Sequence, residues 1–454
     1  MYENVDRQIL GDLYLSQSGL EFLTELVERF GPRFGGSDEE RAAAGFIVEK
    51  FEQFGADSAW TEGFPCTSWK RKNTELKATA PQERELDCIA LPYCPPGRVE
   101  GPLVYLGDGH PQAYEENMEK MNGAIVMVTT ATPKFYHRTM HRGEKLGRAI
   151  EAGAAGFIWM RGEPGGLPET GSARFGRACE VPAISVSYET GHEILRLAKK
   201  GDVNLEISSD NEIFETESLN AVAELKAASD DAEMLVLGAH YDGHDISQSA
   251  ADDGAGTAVM LEALRALAPH KDQLKRTIRF VGFAQEEMGL MGAENYADKY
   301  EADPIRFMLN LDGAGRGENV SFVLQGWPET MEFFRQMNRD MFETGISVGD
   351  SPSLYSDMYP FSARGIPSGT LRSTPPATSG APRGYGHTYW DSLDKIDPRH
   401  LQADAVRVAR LMFRLATADE LPLERKEPAE IGTLLAEMGF DEVLRYEGRP
   451  VPGE

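Results

Sequence analysis

The sequence has few cysteines and no long hydrophobic run. Its 454 residues include only Cys66, Cys88, Cys94 and Cys179, with no C-x-x-C pair and no dense framework, so we expect free thiols in a reducing compartment. No stretch approaches the roughly 18 uninterrupted apolar residues of a membrane span. The first residues, "MYENVDRQILGDLYLSQ", lack the basic and then apolar segments of an export signal. These absences predict a cytoplasmic protein without a membrane partner.

Positive charge is also scarce. The chain has 46 Lys and Arg against 73 Asp and Glu, which gives a formal net charge of −27. Because phosphate binding requires clustered Lys and Arg, no nucleic-acid partner is expected. The acidity is typical of a highly soluble surface, and a cation site would account for only a few of these acids.

Several common catalytic motifs are missing. There is no G-x-S-x-G nucleophile turn and no H-E-x-x-H; the similar "GHEILRL" lacks the second His. No Walker sequence or G-x-G-x-x-G follows a predicted strand. The sequence therefore gives no support for a serine hydrolase with a G-x-S-x-G motif, a metalloprotease with an H-E-x-x-H motif, or a nucleotide-binding protein with one of these motifs.

The hydrophobic pattern changes along the chain. Residues 18–55 have helical periodicity, with Ser18 and Gly31 as the ends of one helix and a capping pair Ser37…Glu40 at the next. Residues 75–210 contain short β-like runs such as "GAIVMVTT" and "VPAISVS". From about 215, strands alternate with helices, which predicts an α/β fold with a mostly parallel mixed sheet and helices on both faces.

We therefore expect a main domain with a smaller insertion. Residues 1–84 are predicted to form the N-terminal part of the main domain and residues 85–210 a β-rich insert. Residues 211–420 complete the main domain, and residues 421–454 are predicted to be a C-terminal tail. A chain of this length suits such a division.

Acidic residues and histidines follow the predicted strands of the main domain. In an open α/β sheet, ligands bind beyond the carboxyl ends of the strands. The residues at such positions are His240 and Asp242 after "MLVLGA", Asp252 in "SAADDGAG", Glu286 and Glu287 after "TIRFVGFAQ", Asp312 after "IRFMLNL", and His387 in "GYGHTYWDSLDKID".

These residue types are those of a hydrolytic zinc site. Zinc accepts imidazole nitrogen and carboxylate oxygen, whereas calcium rarely uses His. Two ions about 3.5–4 Å apart need a bridging carboxylate, and a further carboxylate must take the proton of the attacking water. Taken singly, each residue has a simpler interpretation: Glu286–Glu287 as a helix cap, Asp312 as a turn residue. The complete set favours a metal site.

The stretches "AHYDGHDISQSAADDGAG", "FVGFAQEEMGLMGA", "NLDGAG" and "GHTYWDSLDKID" resemble the co-catalytic dizinc exopeptidases of metallopeptidase family twenty-eight. The resemblance covers roughly residues 215–420, the N-terminal helices and "FPCTSWKRKNTEL", and it implies the zinc-exopeptidase (phosphorylase/hydrolase-like) fold. Residues 85–210 are similar to a protease-associated domain, through "RGEKLGRAIEAGAAGFIWM" and "VPAISVSYETGHEIL".

The resemblance implies two zinc ions per chain and a role for each site residue. His240 and Asp312 would bind one ion, Glu287 and His387 the other, and Asp252 would bridge them. Glu286 would be the general base, and Asp242 would fix the tautomer of His240. A strained or cis peptide bond is implied between Asp252 and Asp253.

One position departs from the family pattern. Family members often have a Tyr before the last His, where it stabilises the oxyanion, but this chain has Gly386, with Tyr385 and Tyr389 nearby. The oxyanion donor is therefore left unassigned. His244 and Asp245 are interpreted as loop residues without a metal role.

The direction of cleavage stays open between related activities. We expect an exopeptidase acting on short peptides, with an aminopeptidase ahead of a carboxypeptidase Q-like dipeptidase. The latter needs a cation for the substrate carboxylate, and Arg372 or Arg383 could supply it. A non-catalytic binding relative of the same fold is the competing class, and a homodimer is left open.

Overall fold

The computed structural model describes residues 2–229, 232–374 and 384–454. The chain divides into two compact units. The first comprises Met1–Pro65, Glu217–Met438 and Pro452–Glu454, and the second comprises Cys66–Thr216 and Gly439–Val451. Within the described residues, no helix is both long enough and apolar enough to cross a membrane.

The helices of the described residues are α1 (Tyr2–Leu15), α2 (Ser18–Phe30), α3 (Asp38–Gln53), α4 (Pro111–Met121), α5 (Arg142–Glu151), α6 (Tyr188–Ala198), α7 (Ala255–Leu267), α8 (Glu286–Gly289), α9 (Met291–Lys299), α10 (Met331–Asp340), α11 (Met358–Ala363), α12 (Pro398–Thr417), α13 (Pro428–Glu437) and α14 (Phe440–Glu447).

The strands are β1 (Ser58–Lys70), β2 (Thr74–Ala80), β3 (Arg84–Leu86), β4 (Ile89–Ala90), β5 (Gly97–Tyr105), β6 (Ile125–Thr129), β7 (Gly156–Met160), β8 (Ala183–Val186), β9 (Asn204–Ser209), β10 (Glu212–Leu225), β11 (Met234–His240), β12 (Thr277–Phe283), β13 (Ile305–Asn310), β14 (Asn319–Leu324), β15 (Ser347–Asp350) and β16 (Ser368–Thr374).

The N-terminal helices begin and end where the sequence predicts. Helix α2 begins at Ser18 and is followed by Gly31, whose φ of 56° is in the left-handed region that glycine adopts without strain. Helix α3 follows Ser37, whose hydroxyl accepts a 3.0 Å hydrogen bond from the backbone N–H of Glu40. The predicted capping interaction is therefore confirmed.

The first sheet has the strand order β1-β10-β12-β11-β13-β16-β14-β15. Its four central strands, β12, β11, β13 and β16, pair in parallel with one another. Strand β10 runs antiparallel to β12, and β14 runs antiparallel to β16. Helices α9 and α11 contribute Ala293, Tyr296 and Phe361 to one packed face of this sheet. Helix α7 contacts β11, β12 and α12. Leu235 and Leu237 alternate along β11 with the residues that pack against α9 and α11, so they point to the opposite face, and both are fully buried.

The second sheet has the order β3-β2-β9-β5-β6-β7-β8-β4 and is also mixed. Strands β5, β6, β7 and β8 are parallel, and the remaining pairs are antiparallel. Apolar clusters pack on both of its faces. The fold class predicted from the sequence, an α/β protein with a mostly parallel mixed sheet and a smaller second domain, is confirmed.

The end of the chain contains more structure than a tail. Helices α13 and α14 lie within residues 421–454, and they bury Ile431, Leu435, Val443 and Leu444. Ile431 and Leu435 are four residues apart and so share one face of α13, and this amphipathic pattern accounts for the helix. The four cysteines form no disulfide among the described residues.

Candidate metal centre

The predicted site residues converge at the carboxyl ends of the parallel strands. His240 is the last residue of β11, Asp312 comes two residues after β13, and Glu286 and Glu287 open α8 three residues after β12. In the ladder His240 pairs with Phe283, and Gly238 pairs with Asn310, so β11 and β12 end at the same level and β13 ends two residues earlier. Parallel pairing therefore explains why residues far apart in sequence meet here.

Asp252 and Asp253 come from the loop between β11 and α7, and the peptide bond that joins them is cis. The backbone N–H groups of Ala251 and Asp252 donate to the two carboxylate oxygens of Asp391, at 2.7 and 3.0 Å. Asp391 is fully buried and lies four residues after His387. The segment that carries His387 therefore also holds the Asp252 loop.

Asp252 presents one carboxylate oxygen to each of two histidines. Its Oδ1 lies 3.5 Å from His240 Nε2, and its Oδ2 lies 3.5 Å from His387 Nε2. His387 Nε2 also lies 3.3 Å from Glu287 Oε2. Two ligand atoms of a tetrahedral zinc ion, with bonds of about 2.0–2.2 Å, are separated by about 3.3–3.6 Å. These separations suit an ion on each side of Asp252.

Unpartnered polar atoms mark the same place. Among the described residues, His240 Nε2 and Glu287 Oε1 are buried and have no hydrogen-bond partner. Three groups of side chains present atoms close enough to hold an ion: His240–Asp252–Glu287, His240–Asp253–Asp312 and His244–Glu287–His387. Since buried polar groups are nearly always paired, the residues present fit a bound metal.

Asp242 contacts both His240 and the first residues of helix α8. It is fully buried, and its Oδ1 lies 3.4 Å from His240 Nδ1. Its two oxygens also accept the backbone N–H groups of Glu286 and Glu287, at 3.0 and 3.3 Å. A carboxylate on Nδ1 leaves Nε2 of His240 free to act as a ligand, as the resemblance implies.

Arg316 is a cation at the centre that sequence reasoning did not select. Its Nη2 lies 3.0 Å from Asp252 Oδ1 and 3.2 Å from both Asp253 Oδ1 and Asp312 Oδ1. The other oxygen of Asp312 accepts a 2.7 Å hydrogen bond from Ser356. These carboxylates are thus arranged around positive charge. The sequence signal was only an Arg four residues after Asp312.

The electrostatics of the centre reflect burial and crowding of like charges. Burial raises the pKa of Glu286 well above its usual value, and burial raises that of Glu287 to about 8. Burial opposes ionisation of Asp252, but the charges of Arg316 and the neighbouring imidazoles outweigh it and lower its pKa well below the usual value. Bringing these carboxylates together as anions requires more cationic charge than Arg316 supplies.

Arg33 holds the loop that follows β11. It is fully buried, and its guanidinium donates to the carbonyl oxygens of Tyr241 at 2.6 Å, Gln248 at 2.9 Å and Ser249 at 2.9 Å. Burial lowers its pKa to about 10, so the group remains charged at neutral pH. Its sequence context, "GPRFGG", gave no indication of this role.

The remaining candidates have mixed outcomes. Gly386 approaches Asp252 so closely that a Cβ at this position would lie 2.5 Å from Oδ2, and Tyr389 is exposed. The oxyanion donor therefore stays unassigned. Arg372 is exposed, and Arg383 lies outside the described residues. His244, interpreted from sequence as a loop residue without a metal role, is buried against Glu287.

The chain is similar in sequence to known peptidases. Residues 220–412 match the model of peptidase family M28, and residues 99–194 match the PA domain. The chain is 22% identical over 435 residues to carboxypeptidase Q of Mus musculus, covering 92% of this chain and 91% of that protein. It is 28% identical over 324 residues to a probable leucine aminopeptidase 2 of Arthroderma benhamiae, covering 67% of this chain and 61% of the relative.

Solved structures show the same fold. A peptidase M28 precursor from Shewanella amazonensis has a TM-score of 0.78 at 24% identity, covering 93% of this chain and 99% of that one. A zinc aminopeptidase from Bacillus subtilis has a TM-score of 0.68 at 21% identity, covering 90% and 97%. The class of enzyme predicted from the sequence, a metallo-exopeptidase, is confirmed. Residues 220–412 therefore form a peptidase family M28 domain, and residues 99–194 form a PA domain.

Proposed function

We propose that this protein is a dizinc aminopeptidase that removes residues from short peptides. One observation carries the proposal: Asp252 offers Oδ1 to His240 and Oδ2 to His387, each across 3.5 Å, so one carboxylate can bridge two ions. His240 and Asp312 would hold the first ion, and Glu287 and His387 would hold the second. Zinc bound here would polarise the scissile carbonyl and acidify a water molecule.

Glu286 is the proposed general base. Its side chain is only 13% exposed, and its Oε2 lies 4.0 Å from His240 Nε2. Its backbone N–H is anchored on Asp242, so the side chain starts from a fixed position at the head of α8. In the reaction, Glu286 takes a proton from the attacking water and delivers it to the leaving amine nitrogen.

Two substitutions separate the base from its neighbour. Glu286→Gln should retain both zinc ions but lower kcat by about 10²–10⁴-fold, because it removes only proton transfer. Glu287→Gln should lose the second ion. Metal content after dialysis, measured beside kcat, tests the assignment. Loss of zinc from Glu286→Gln, or nearly full activity in it, would show that the two roles are reversed.

The charge at the centre favours a substrate ammonium over a substrate carboxylate. The guanidinium of Arg316 is already shared among three carboxylates, which leaves less of its charge to bind a terminal carboxylate. The carboxylates of the centre can accept the ammonium of a peptide. This distribution supports the aminopeptidase direction.

A carboxypeptidase Q-like dipeptidase is the second candidate. It is supported by the match to carboxypeptidase Q, which covers 91% of that relative, whereas the match to the fungal leucine aminopeptidase covers 61%. Leu-p-nitroanilide, free dipeptides and N-acetylated dipeptides distinguish the candidates. Cleavage of the anilide supports the aminopeptidase, and cleavage of N-acetylated dipeptides alone supports the other direction. Near-zero zinc with no activity restored by zinc or cobalt would favour a non-catalytic binding relative.

A further inference from the structure

His244 is a buried imidazole beside the second proposed metal position, and the roles proposed above do not use it. It lies four residues after His240 in the loop that follows β11, and only 1% of it is exposed. Its Nε2 lies 2.9 Å from Glu287 Oε2. It also lies 3.3 Å from His387 Nδ1, and the two imidazole rings meet edge to face with their centres 4.5 Å apart. Both proposed ligands of the second ion therefore touch this one side chain.

The contact with Glu287 has the geometry of a charge-assisted hydrogen bond. When Glu287 is ionised as a metal ligand, the Nε2 of His244, 2.9 Å from its Oε2, would donate a proton to it. A carboxylate oxygen has two lone pairs, so Oε2 can accept this proton and still face His387 Nε2 across 3.3 Å. The bond therefore fixes the rotation of the Glu287 carboxylate without blocking its ligand position.

The contact with His387 restricts the second ligand. His387 has a backbone φ of 61°, in the left-handed region, and 32% of its side chain is exposed. The ring of His244 lies edge to face against the His387 imidazole, close to its Nδ1, while Nε2 of His387 faces Asp252 and Glu287. Movement of the exposed ligand away from these partners is therefore limited on one side.

We propose that His244 is a positioning residue for the second metal position, where it orients Glu287 by hydrogen bonding and His387 by ring contact. This inference rests on the proposed function, because it requires Glu287 and His387 to be ligands. Asp242 has the matching role at the first position, where it contacts His240. Outer partners of this kind typically change metal affinity by about 10–100-fold.

The test uses two substitutions that differ in hydrogen bonding. His244→Leu removes the donor and should weaken binding of the second zinc equivalent by about 10–100-fold, with a smaller effect on the first equivalent. His244→Gln keeps an amide N–H donor but is a poor zinc ligand, so it should recover most of that affinity. His270→Leu replaces another buried histidine of the first unit and serves as the matched control.

Zinc affinity is measured on the full chain by competition with a chromophoric chelator, and the visible spectrum of the cobalt-substituted protein reports the geometry of the second ion. Equal weakening in His244→Leu and His244→Gln would overturn the inference, because it would make His244 a direct ligand. Unchanged affinity and spectrum in both would also overturn it. Fewer than two zinc equivalents in the wild type would instead contradict the proposed function.

Discussion

Replacing Arg33 with Met should loosen the loop that carries Asp252 while leaving the rest of the chain intact. The guanidinium donates to three carbonyl oxygens of this loop, those of Tyr241, Gln248 and Ser249. A buried acceptor left without its donor costs about 1–3 kcal/mol, so three of them give about 3–9 kcal/mol. We expect about 3 kcal/mol, because water entering the vacated space satisfies part of the loss.

Amide hydrogen exchange of the metal-free protein measures this local effect. A loss of about 3 kcal/mol corresponds to exchange about 100-fold faster across residues 241–253. Arg339→Met is the control, since Arg339 is exposed and contacts Glu332 and Gln336 on its own helix. Exchange in residues 241–253 no faster in Arg33→Met than in Arg339→Met would refute the reasoning. An equal increase in every segment would refute it too, because the effect would then be global.

Two further predictions concern buried charge. Burial raises the pKa of Glu40 to about 8 from a usual 4.5, so the folded chain keeps a proton that the unfolded chain loses. The free energy of unfolding therefore falls as pH rises from about 4.5 to 8, by up to about 1.4 kcal/mol per pH unit. Glu40→Gln stays neutral and should therefore gain stability relative to wild type between pH 5 and pH 8 in urea unfolding; an equal difference at both pH values would contradict this. Arg316→Met should destabilise the metal-free protein by about 2 kcal/mol and the zinc-loaded protein by less than half of that, because zinc would then supply the positive charge. Equal shifts of Tm with chelator and with zinc would count against it.

The strand-end residues could be predicted because their positions depend on local patterns. Each apolar run that leads to His240, Glu287 or Asp312 is a buried strand, and parallel pairing fixes where such strands end. The ends of α2 and α3 follow from Gly31 and Ser37 in the same way. These features need only a few neighbouring residues to be recognised.

The residues that support the centre could not be found in this way. Arg33 donates to a carbonyl 208 positions away, and Asp391 accepts from backbone amides about 140 positions away. Neither contact leaves a periodic signal, because one charged side chain meeting backbone groups depends on the assembled fold. His244 lies only four residues after His240, but its contact with Glu287 also depends on the assembled fold.

The segment that carries His387 has a consequence for the exchange of ions with solvent. His387 faces the second metal position, and Asp391, four residues later, holds the backbone of the Asp252 loop through two hydrogen bonds. Displacing this segment would therefore release a proposed ligand of one ion and loosen the carboxylate that the two ions are proposed to share. Loss of one ion would then favour loss of the other. Uptake and loss of the pair should be cooperative, and the opening rate of residues 384–391 should limit both.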